Sequence, residues 1–212
     1  DTYKKQAGSY SDFYFKYGLD YDLRDSSFNT KDGFISSFYQ QLPVISENNE
    51  ILNTFTYTKY KELNKSSEMI GKASVYLKAI NTLDGSDVRV SKRANIPYGK
   101  LRGFEKGKVG PVGNNNDYIG GNYVSTLNLS TNIPGLLPTL EILDFNYFID
   151  FANIWGVDYD SSLDNAKLRT STGLGLNILT PIGPLSFSLS QPITKASSDK
   201  TETFRFNLGT TF

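Results

Sequence analysis

The feature that most constrains the fold is an alternation of apolar and polar residues that is unusually long. Between residues 13 and 23 every second residue is apolar, namely Phe13, Phe15, Tyr17, Leu19, Tyr21 and Leu23. A period of two indicates a β-strand whose two faces meet different environments. Ordinary strands have about 5 to 6 residues, whereas a tilted strand needs about 9 to 11 residues to cross a bilayer. The first strand therefore has the length of a membrane-crossing strand.

Similar segments recur to the end of the chain. Further strands are predicted at residues 33–42, 51–60, 71–80, 122–133, 140–151, 168–179, 185–190 and 204–212. About nine strands and no amphipathic helix of useful length predict an all-β fold. The strands are longer than those of soluble sandwiches, and their polar faces carry charges, which indicates a transmembrane antiparallel β-barrel. Because bacterial single-chain barrels have even strand numbers, strands are expected to be missing before Asp1.

The alternation also assigns side chains to the two sides of the barrel wall. Nine apolar residues are predicted to face lipid: Phe145, Tyr147, Ile149, Leu185, Phe187, Leu189, Phe204, Phe206 and Leu208. Four polar residues are predicted to face the lumen: Asp144, Asn146, Asp150 and Arg205. A register error of one residue would invert both assignments.

Composition excludes several functions. Lys plus Arg equals Asp plus Glu at 22 each, which removes the electrostatic argument for nucleic acid. The chain has no His and no Cys, so His-based triads, His-ligated metals and thiolate chemistry are excluded. We therefore predict neither an enzyme nor a cofactor. The pattern Ser197-x-x-Lys200 is a chance match, and Asp158, Asp160 and Asp164 are interpreted as solvated loop acids because they lack the Gly and bidentate Glu of a calcium loop.

The longest segment without strand periodicity is residues 81–119, which we call the long loop. Loops of this length are usually functional or disordered. It contains Leu101-Arg102-Gly103-Phe104, in which a fork-shaped cation stands beside a residue of the buried type. Arg can bind a carboxylate through two parallel hydrogen bonds. On this tetrapeptide alone, an exposed Arg in a mobile loop is the favoured interpretation.

Several motifs together resemble the C-terminal half of a BamA-family outer-membrane assembly factor. Arg102-Gly103-Phe104 with Val109-Gly110-Pro111 resembles the family's signature loop. The other similar segments are Gly120-Gly121-Asn122, Phe148 to Trp155, Leu168 to Gly175, Pro181 to Ser188 and Phe204 to Phe212. The likeness is strong from Tyr98 onwards and weaker between Phe13 and Ile80. The order and spacing of the motifs make the resemblance specific.

The resemblance implies a 16-stranded barrel in the bacterial outer membrane, of which residues 1–212 form the C-terminal part. The soluble N-terminal domains and the first strands of the family are expected to be absent. It implies assembly and insertion of β-barrel proteins through a lateral gate between the first and last strands, where strands add to an exposed edge. The implied partners are the lipid bilayer, unfolded outer-membrane proteins and accessory lipoproteins.

The resemblance also implies site residues. The long loop is expected to be extracellular and to fold into the lumen, where Arg102 would meet Asp150 while Phe104 covers the pair from water. The family often has a lumen-facing Glu at the position of Asn128, so a clamp with two carboxylates is in doubt here. Phe212, in phase with Phe204, Phe206 and Leu208, resembles the terminal recognition signal of bacterial outer-membrane proteins.

Other functions remain open at this stage. A relative that secretes polypeptides or assembles autotransporters would share these motifs. A passive diffusion pore would need a constricting loop but no partner edge. An outer-membrane enzyme is disfavoured because the usual His base is absent.

Overall fold

The computed structural model describes residues 6, 8–27, 30–47, 49–64, 66, 68–134, 143–180 and 183–208, without the side chains of residues 179 and 184. Its strands are β1 (Phe13–Asp22), β2 (Gly33–Ile45), β3 (Glu50–Asn64), β4 (Met69–Thr82), β5 (Tyr123–Asn132), β6 (Leu143–Trp155), β7 (Arg169–Thr180), β8 (Gly183–Thr194) and β9 (Phe204–Leu208). Two short 3₁₀-helices cover Val90–Lys92 and Ser161–Leu163. Within the described ranges, we find no helix long and apolar enough to cross a membrane.

The nine strands form one antiparallel sheet in chain order, which confirms the predicted all-β fold. Each strand pairs with its sequence neighbour, including β4 and β5, which the long loop joins. The register places Asn128 of β5 opposite Asp150 of β6, and Asp150 opposite Ser171 of β7. Three polar residues on adjacent strands thus form a row across the sheet.

The two faces of the sheet differ in what covers them. On one face, which we call the open face, large apolar side chains are exposed along the whole sheet, among them Phe15, Leu19, Leu77, Leu129, Tyr147, Leu174, Leu189, Phe204, Phe206 and Leu208. On the other face, which we call the covered face, Asp150 and Arg205 are buried. Asp144 lies near the start of β6 and is exposed.

The long loop packs on the covered face. Leu101, Phe104 and Val109 of the loop join one buried cluster with the strand residues Ile80, Val124, Ala152 and Ile154. Burial of such side chains stabilises the loop by roughly 1.5–3 kcal/mol for each large one. The interpretation of a mobile loop with an exposed Arg is therefore wrong for residues 100–110.

Several strands extend further than predicted, and in two of them, β2 and β8, the added residues include a proline at a register shift. Pro43 pairs with Tyr14 beside a shift between Phe13 and Tyr14. Pro192 pairs with Ser171 beside a shift between Thr170 and Ser171. Proline has no N–H to donate, so strands tolerate it at irregularities and along unpaired edges. The predicted ends of β2 at residue 42 and of β8 at residue 190 were wrong for this reason.

The open face permits a test of membrane depth with two matched leucines. Leu174 lies in the middle of β7 and is 54% exposed, whereas Leu168 lies just before β7, in the same phase, and is 52% exposed. We expect Leu174→Arg to lower the free energy of unfolding by roughly 2–4 kcal/mol and Leu168→Arg by roughly 0–1 kcal/mol. Denaturant titration of the full-length protein refolded into lipid vesicles measures both. Equal losses at the two positions would contradict the assignment of this face to lipid.

Candidate functional site

Arg102 and Asp150 form a bidentate ion pair where the long loop meets β6. Arg102 Nε and Nη2 donate to Asp150 Oδ2 and Oδ1, each at 2.7 Å. The backbone N–H of Arg102 also donates to Oδ2 at 3.1 Å. The Asp150 side chain is 0% exposed and that of Arg102 is 20% exposed. A fork-to-fork pair of this kind fixes both the position and the orientation of the loop backbone.

Residues on three adjacent strands complete the surroundings of Arg102. Asn128 of β5 donates to Asp150 Oδ1 at 2.8 Å and to the Lys100 carbonyl at 2.8 Å. Ser171 of β7 donates to the Arg102 carbonyl. Asn128 thus donates a hydrogen bond to the Asp150 carboxylate. This carboxylate is the one that Arg102 binds.

The aromatic ring over the guanidinium belongs to Phe148, which sequence reasoning did not place in the site. The Arg102 guanidinium carbon lies 3.4 Å from the ring centroid, a cation–π arrangement. Phe148 occupies space that Gly173 leaves open, because a Cβ on Gly173 would lie 2.8 Å from the ring. The sequence prediction gave the covering role to Phe104. The structure places Phe104 in the buried apolar cluster.

Gly103 passes close to the sheet with a left-handed backbone. Its φ is +87°, and a Cβ there would lie 3.2 Å from Ser190 Cβ and 3.3 Å from Ser171 Cβ. Gly107 in the same loop has a φ of +68°, with no atom within 4 Å of such a Cβ. Both glycines need a left-handed backbone, which Gly adopts readily. Only Gly103 also lies close to the sheet.

The two glycines provide a matched pair of substitutions. Gly107→Ala should destabilise the loop by roughly 1–2 kcal/mol, the strain of a left-handed residue. Gly103→Ala should have the larger effect, since the new methyl group also presses on β7 and β8. Limited proteolysis of the long loop in the full-length protein compares them. Equal cleavage rates would show that the contact of Gly103 with the sheet is unimportant.

The loop is also joined to the connection between β8 and β9. Glu105 N–H donates to the Lys200 carbonyl at 3.0 Å, Lys200 N–H to the Lys108 carbonyl at 3.0 Å, and Glu202 N–H to the Gly103 carbonyl at 3.1 Å. Arg205 of β9 donates to the Phe104 carbonyl. The loop motif and the last strand therefore meet through backbone bonds and Arg205.

A second buried ion pair reinforces this junction, and sequence reasoning missed it. Arg169 Nε and Nη2 donate to Asp199 Oδ2 and Oδ1 at 2.9 Å and 3.1 Å, with both side chains 0% exposed. Asp199 also accepts from the N–H groups of Gly110 at 3.2 Å and Ala196 at 2.6 Å. One indication of this pair was present in the sequence, namely Arg169 on the polar side of β7. Asp199 gave none, since it lies in a polar loop.

Arg93 anchors the beginning of the loop through Asp158, an exposed loop acid that also forms an ion pair. Asp158 accepts from the Arg93 guanidinium, from Val88 N–H at 2.8 Å and from Asn122 at 2.9 Å. Burial alone raises the pKa of the Asp158 carboxyl. The hydrogen bonds from Val88 and Asn122 and the charge of Arg93 outweigh burial, so this pKa lies below its ordinary value. The described residues contain no group of three potential metal ligands.

Arg89 links the loop to the residues that precede β1. It forms ion pairs with Asp12 and Glu50, and all three side chains are buried. Burial alone raises the pKa of Asp12, but hydrogen bonds from Arg89 and Ser46 outweigh it and hold this pKa at about 2. This ion pair therefore persists at mildly acidic pH.

The terminal strand presents its apolar residues away from the loop. Phe204, Phe206 and Leu208 are exposed on the open face, and the Phe206 ring lies 5.0 Å from that of Phe187. Arg205, between them, is buried on the covered face. Phe212 lies outside the described residues.

A sheet of long strands with a continuous apolar face and a polar face covered by its own loop defines a membrane β-barrel domain. The Omp85 superfamily domain matches residues 1–212. The chain therefore belongs to the Omp85 superfamily. The proteins to which it is similar are outer-membrane proteins of bacteria, which places this chain in the bacterial outer membrane.

Three relatives carry the name BamA and confirm the resemblance stated from the sequence. The outer membrane protein assembly factor BamA of Neisseria meningitidis serogroup B is 29% identical over 143 residues, covering 54% of this chain and 18% of the relative. The corresponding protein of Neorickettsia risticii is 28% identical over 131 residues, covering 60% of this chain and 18% of the relative. The crystal structure of Haemophilus ducreyi BamA lacking POTRA domains 1–3 superposes with a TM-score of 0.83 at 25% identity, covering 93% of this chain and 42% of that chain. The matches span about a fifth of the length of the Neisseria and Neorickettsia proteins.

Proposed function

We propose that this chain is the C-terminal part of a barrel that assembles and inserts β-barrel proteins into the outer membrane. The proposal includes the long loop as an extracellular segment folded into the lumen and a lateral gate between the first and last strands. The observation that carries it is the Arg102–Asp150 pair, which fixes the loop on β6, while backbone hydrogen bonds join the loop to the connection between β8 and β9. The names of the relatives, which are those of assembly factors, support it.

The physical basis of the proposed activity is strand addition at an open edge. Within the described residues, β9 has β8 as a partner on one side from Phe204 to Leu208, and its other side is the edge of the sheet. An open edge offers N–H and C=O groups to an incoming strand. The loop bonds through Gly103, Glu105 and Lys108 to the connection that holds Lys200 and Glu202. These bonds would support the β8–β9 hairpin while the edge changes partner.

The decisive experiment is insertion of an unfolded barrel substrate into liposomes that contain the full-length protein. We expect faster folding of the substrate than in empty liposomes, together with protection of its membrane part from protease. Conductance without accelerated insertion would favour a passive pore. Transport of the substrate into the liposome lumen would favour a secretion relative. The proposed substrates are unfolded outer-membrane proteins, and accessory lipoproteins are proposed as partners.

Phe212 permits a test of a terminal recognition signal in the same protein. We expect deletion of Phe212 to slow assembly of the full-length protein itself several-fold, because an aromatic residue in phase with Phe204 and Phe206 would be lost from the signal. The amount of heat-modifiable barrel in cells, followed over time, measures assembly. The substitution Phe212→Tyr keeps an aromatic ring at this position and should assemble at the wild-type rate. An unchanged rate after the deletion would leave an ordinary interfacial anchor.

A further inference from the structure

A groove of about 360 Å³ crosses the open face at the end of the sheet away from the long loop. Two rows of paired residues build it. The first row is Lys59, Ala73, Leu129 and Ile149, and the second is Lys61, Gly71, Thr131 and Tyr147. Each row has a lysine on β3, a small residue on β4 and larger side chains on β5 and β6. The groove is therefore deepest along β4, between Leu63 on one side and Leu129 on the other.

The small residues on β4 explain why the groove exists. Gly71 and Ala73 lie on the same face of β4 as the larger residues Val75 and Leu77. The Leu63 side chain bends towards Gly71, and its Cδ1 would lie 3.0 Å from a Cβ at that position. The open space therefore has a mainly apolar lining, which suits a hydrocarbon chain.

The two lysines stand on a face that is mostly apolar. A lysine facing lipid costs roughly 2–4 kcal/mol at the bilayer midplane and roughly 0–1 kcal/mol near the interface. Lys59 lies 3.3 Å from Asp32, and the two side chains are 41% and 62% exposed, so this pair is a weak one. Among the described residues, Lys61 makes neither an ion pair within 4 Å nor a hydrogen bond with a side chain, and its charge acts on Asp32 from a longer distance. At least one ammonium group is thus available to an external anion.

We propose that the groove binds one anionic phospholipid, with an acyl chain along Gly71 and Ala73 and the phosphate at Lys59 and Lys61. Lysine stems lie along apolar surface while their ammonium groups extend towards the headgroup region. Basic pockets beside apolar membrane surfaces bind acidic headgroups. The site rests on the proposed orientation, in which the end opposite the long loop is periplasmic.

A polypeptide is a poorer occupant of the same groove. Strand addition requires an unpaired edge, whereas β3, β4, β5 and β6 are all paired on both sides. The groove therefore offers no backbone partner to a peptide, whose own N–H and C=O groups would stay unsatisfied in lipid. An acyl chain has no such groups, and its phosphate matches the charge of the lysines.

Native mass spectrometry of the detergent-solubilised full-length protein tests the site with phosphatidylglycerol and phosphatidylcholine of identical acyl chains. We expect tighter binding of phosphatidylglycerol. The double substitution Lys59→Gln and Lys61→Gln should remove that preference, with about fivefold weaker binding for each lysine lost. The control Lys78→Gln changes a lysine on the covered face of β4 and should leave the preference intact. Equal binding of the two lipids by the wild-type protein would overturn the proposal.

A second pair of variants tests the groove apart from the charge. Ala73→Leu fills the groove and should weaken binding of both lipids, whereas Ala79→Leu adds the same side chain on the same face of β4 outside the groove and should not. Unchanged binding in Ala73→Leu would overturn the acyl-chain part of the proposal. The measurement contains no substrate protein, so failure of the insertion activity and failure of the lipid site are distinguishable.

Discussion

Replacing Arg102 with alanine in the full-length protein is expected to slow substrate insertion into liposomes by about one to two orders of magnitude. The side chain makes two charge-assisted hydrogen bonds to Asp150 and lies on the Phe148 ring. Loss of such bonds costs roughly 1.5–3 kcal/mol, which is about ten- to hundredfold in the equilibrium between a bound and a released loop. The rate of protease protection of the substrate measures the effect.

A double-mutant cycle shows whether the two residues act as a pair. Asp150→Ala should impair insertion about as much as Arg102→Ala, and the double variant should be little worse than either. Arg102→Lys keeps the charge but lacks the fork and the planar surface that meets Phe148, so it should remain impaired. Simply additive losses would show that the residues are not partners, and full activity of Arg102→Lys would show that charge alone suffices.

The Arg102 pair acts within a set of contacts that hold the loop along its length. Arg89 and Arg93 anchor its beginning, Arg102 anchors its middle, and Gly110 bonds to Asp199 further on. Because each anchor bonds to a different strand or connection, release of one leaves the others in place. Loss of Arg102 should therefore alter the loop locally without unfolding the barrel, and the variant is expected to remain heat-modifiable.

The strands could be predicted from the sequence because their period of two depends on the polarity of each residue. Apolar and polar residues alternate wherever one face meets lipid and the other does not. The ends of strands depend on fewer residues. The ends predicted at residues 42 and 190 were wrong, and Pro43 and Pro192 lie inside strands at register shifts. Periodicity does not show where a sheet tolerates such a shift.

The candidate site was predictable only in part, because several of its paired residues lie far apart along the chain. Asp150 could be named because its polar face was evident from the alternation and because the loop motif resembled a known one. Phe148 shares that face, but a Phe among polar positions carried no signal until its ring was found over Arg102. Asp158 and Asp199 lie in polar loops, and their arginine partners are 65 and 30 residues away. Local patterns cannot bring such residues together.

Replacing Asp199 with alanine is expected to lower the free energy of unfolding by roughly 3–5 kcal/mol. Both side chains of the Arg169–Asp199 pair are fully buried, so the substitution leaves the Arg169 charge without a carboxylate in a region that excludes water. Removing one partner of a buried pair has an effect of this size. The N–H groups of Gly110 and Ala196 also lose their acceptor. Denaturant titration of the full-length protein in vesicles measures the change.

Removing both charges together should be far less harmful than removing one. Arg169→Met with Asp199→Leu replaces the pair with apolar groups of similar volume, a change that is often neutral or stabilising in protein interiors. Arg169 also donates to the carbonyls of Asn165 at 3.0 Å and Lys167 at 2.6 Å, and these bonds would be lost, so we expect recovery of about half the stability rather than all of it. As a control of similar chemistry, Glu202→Ala removes a partly exposed partner of Arg205 and should cost roughly 1 kcal/mol. If the double variant were as unstable as Asp199→Ala, the lost bonds to Gly110 and Ala196, and not the unpaired charge, would account for the effect.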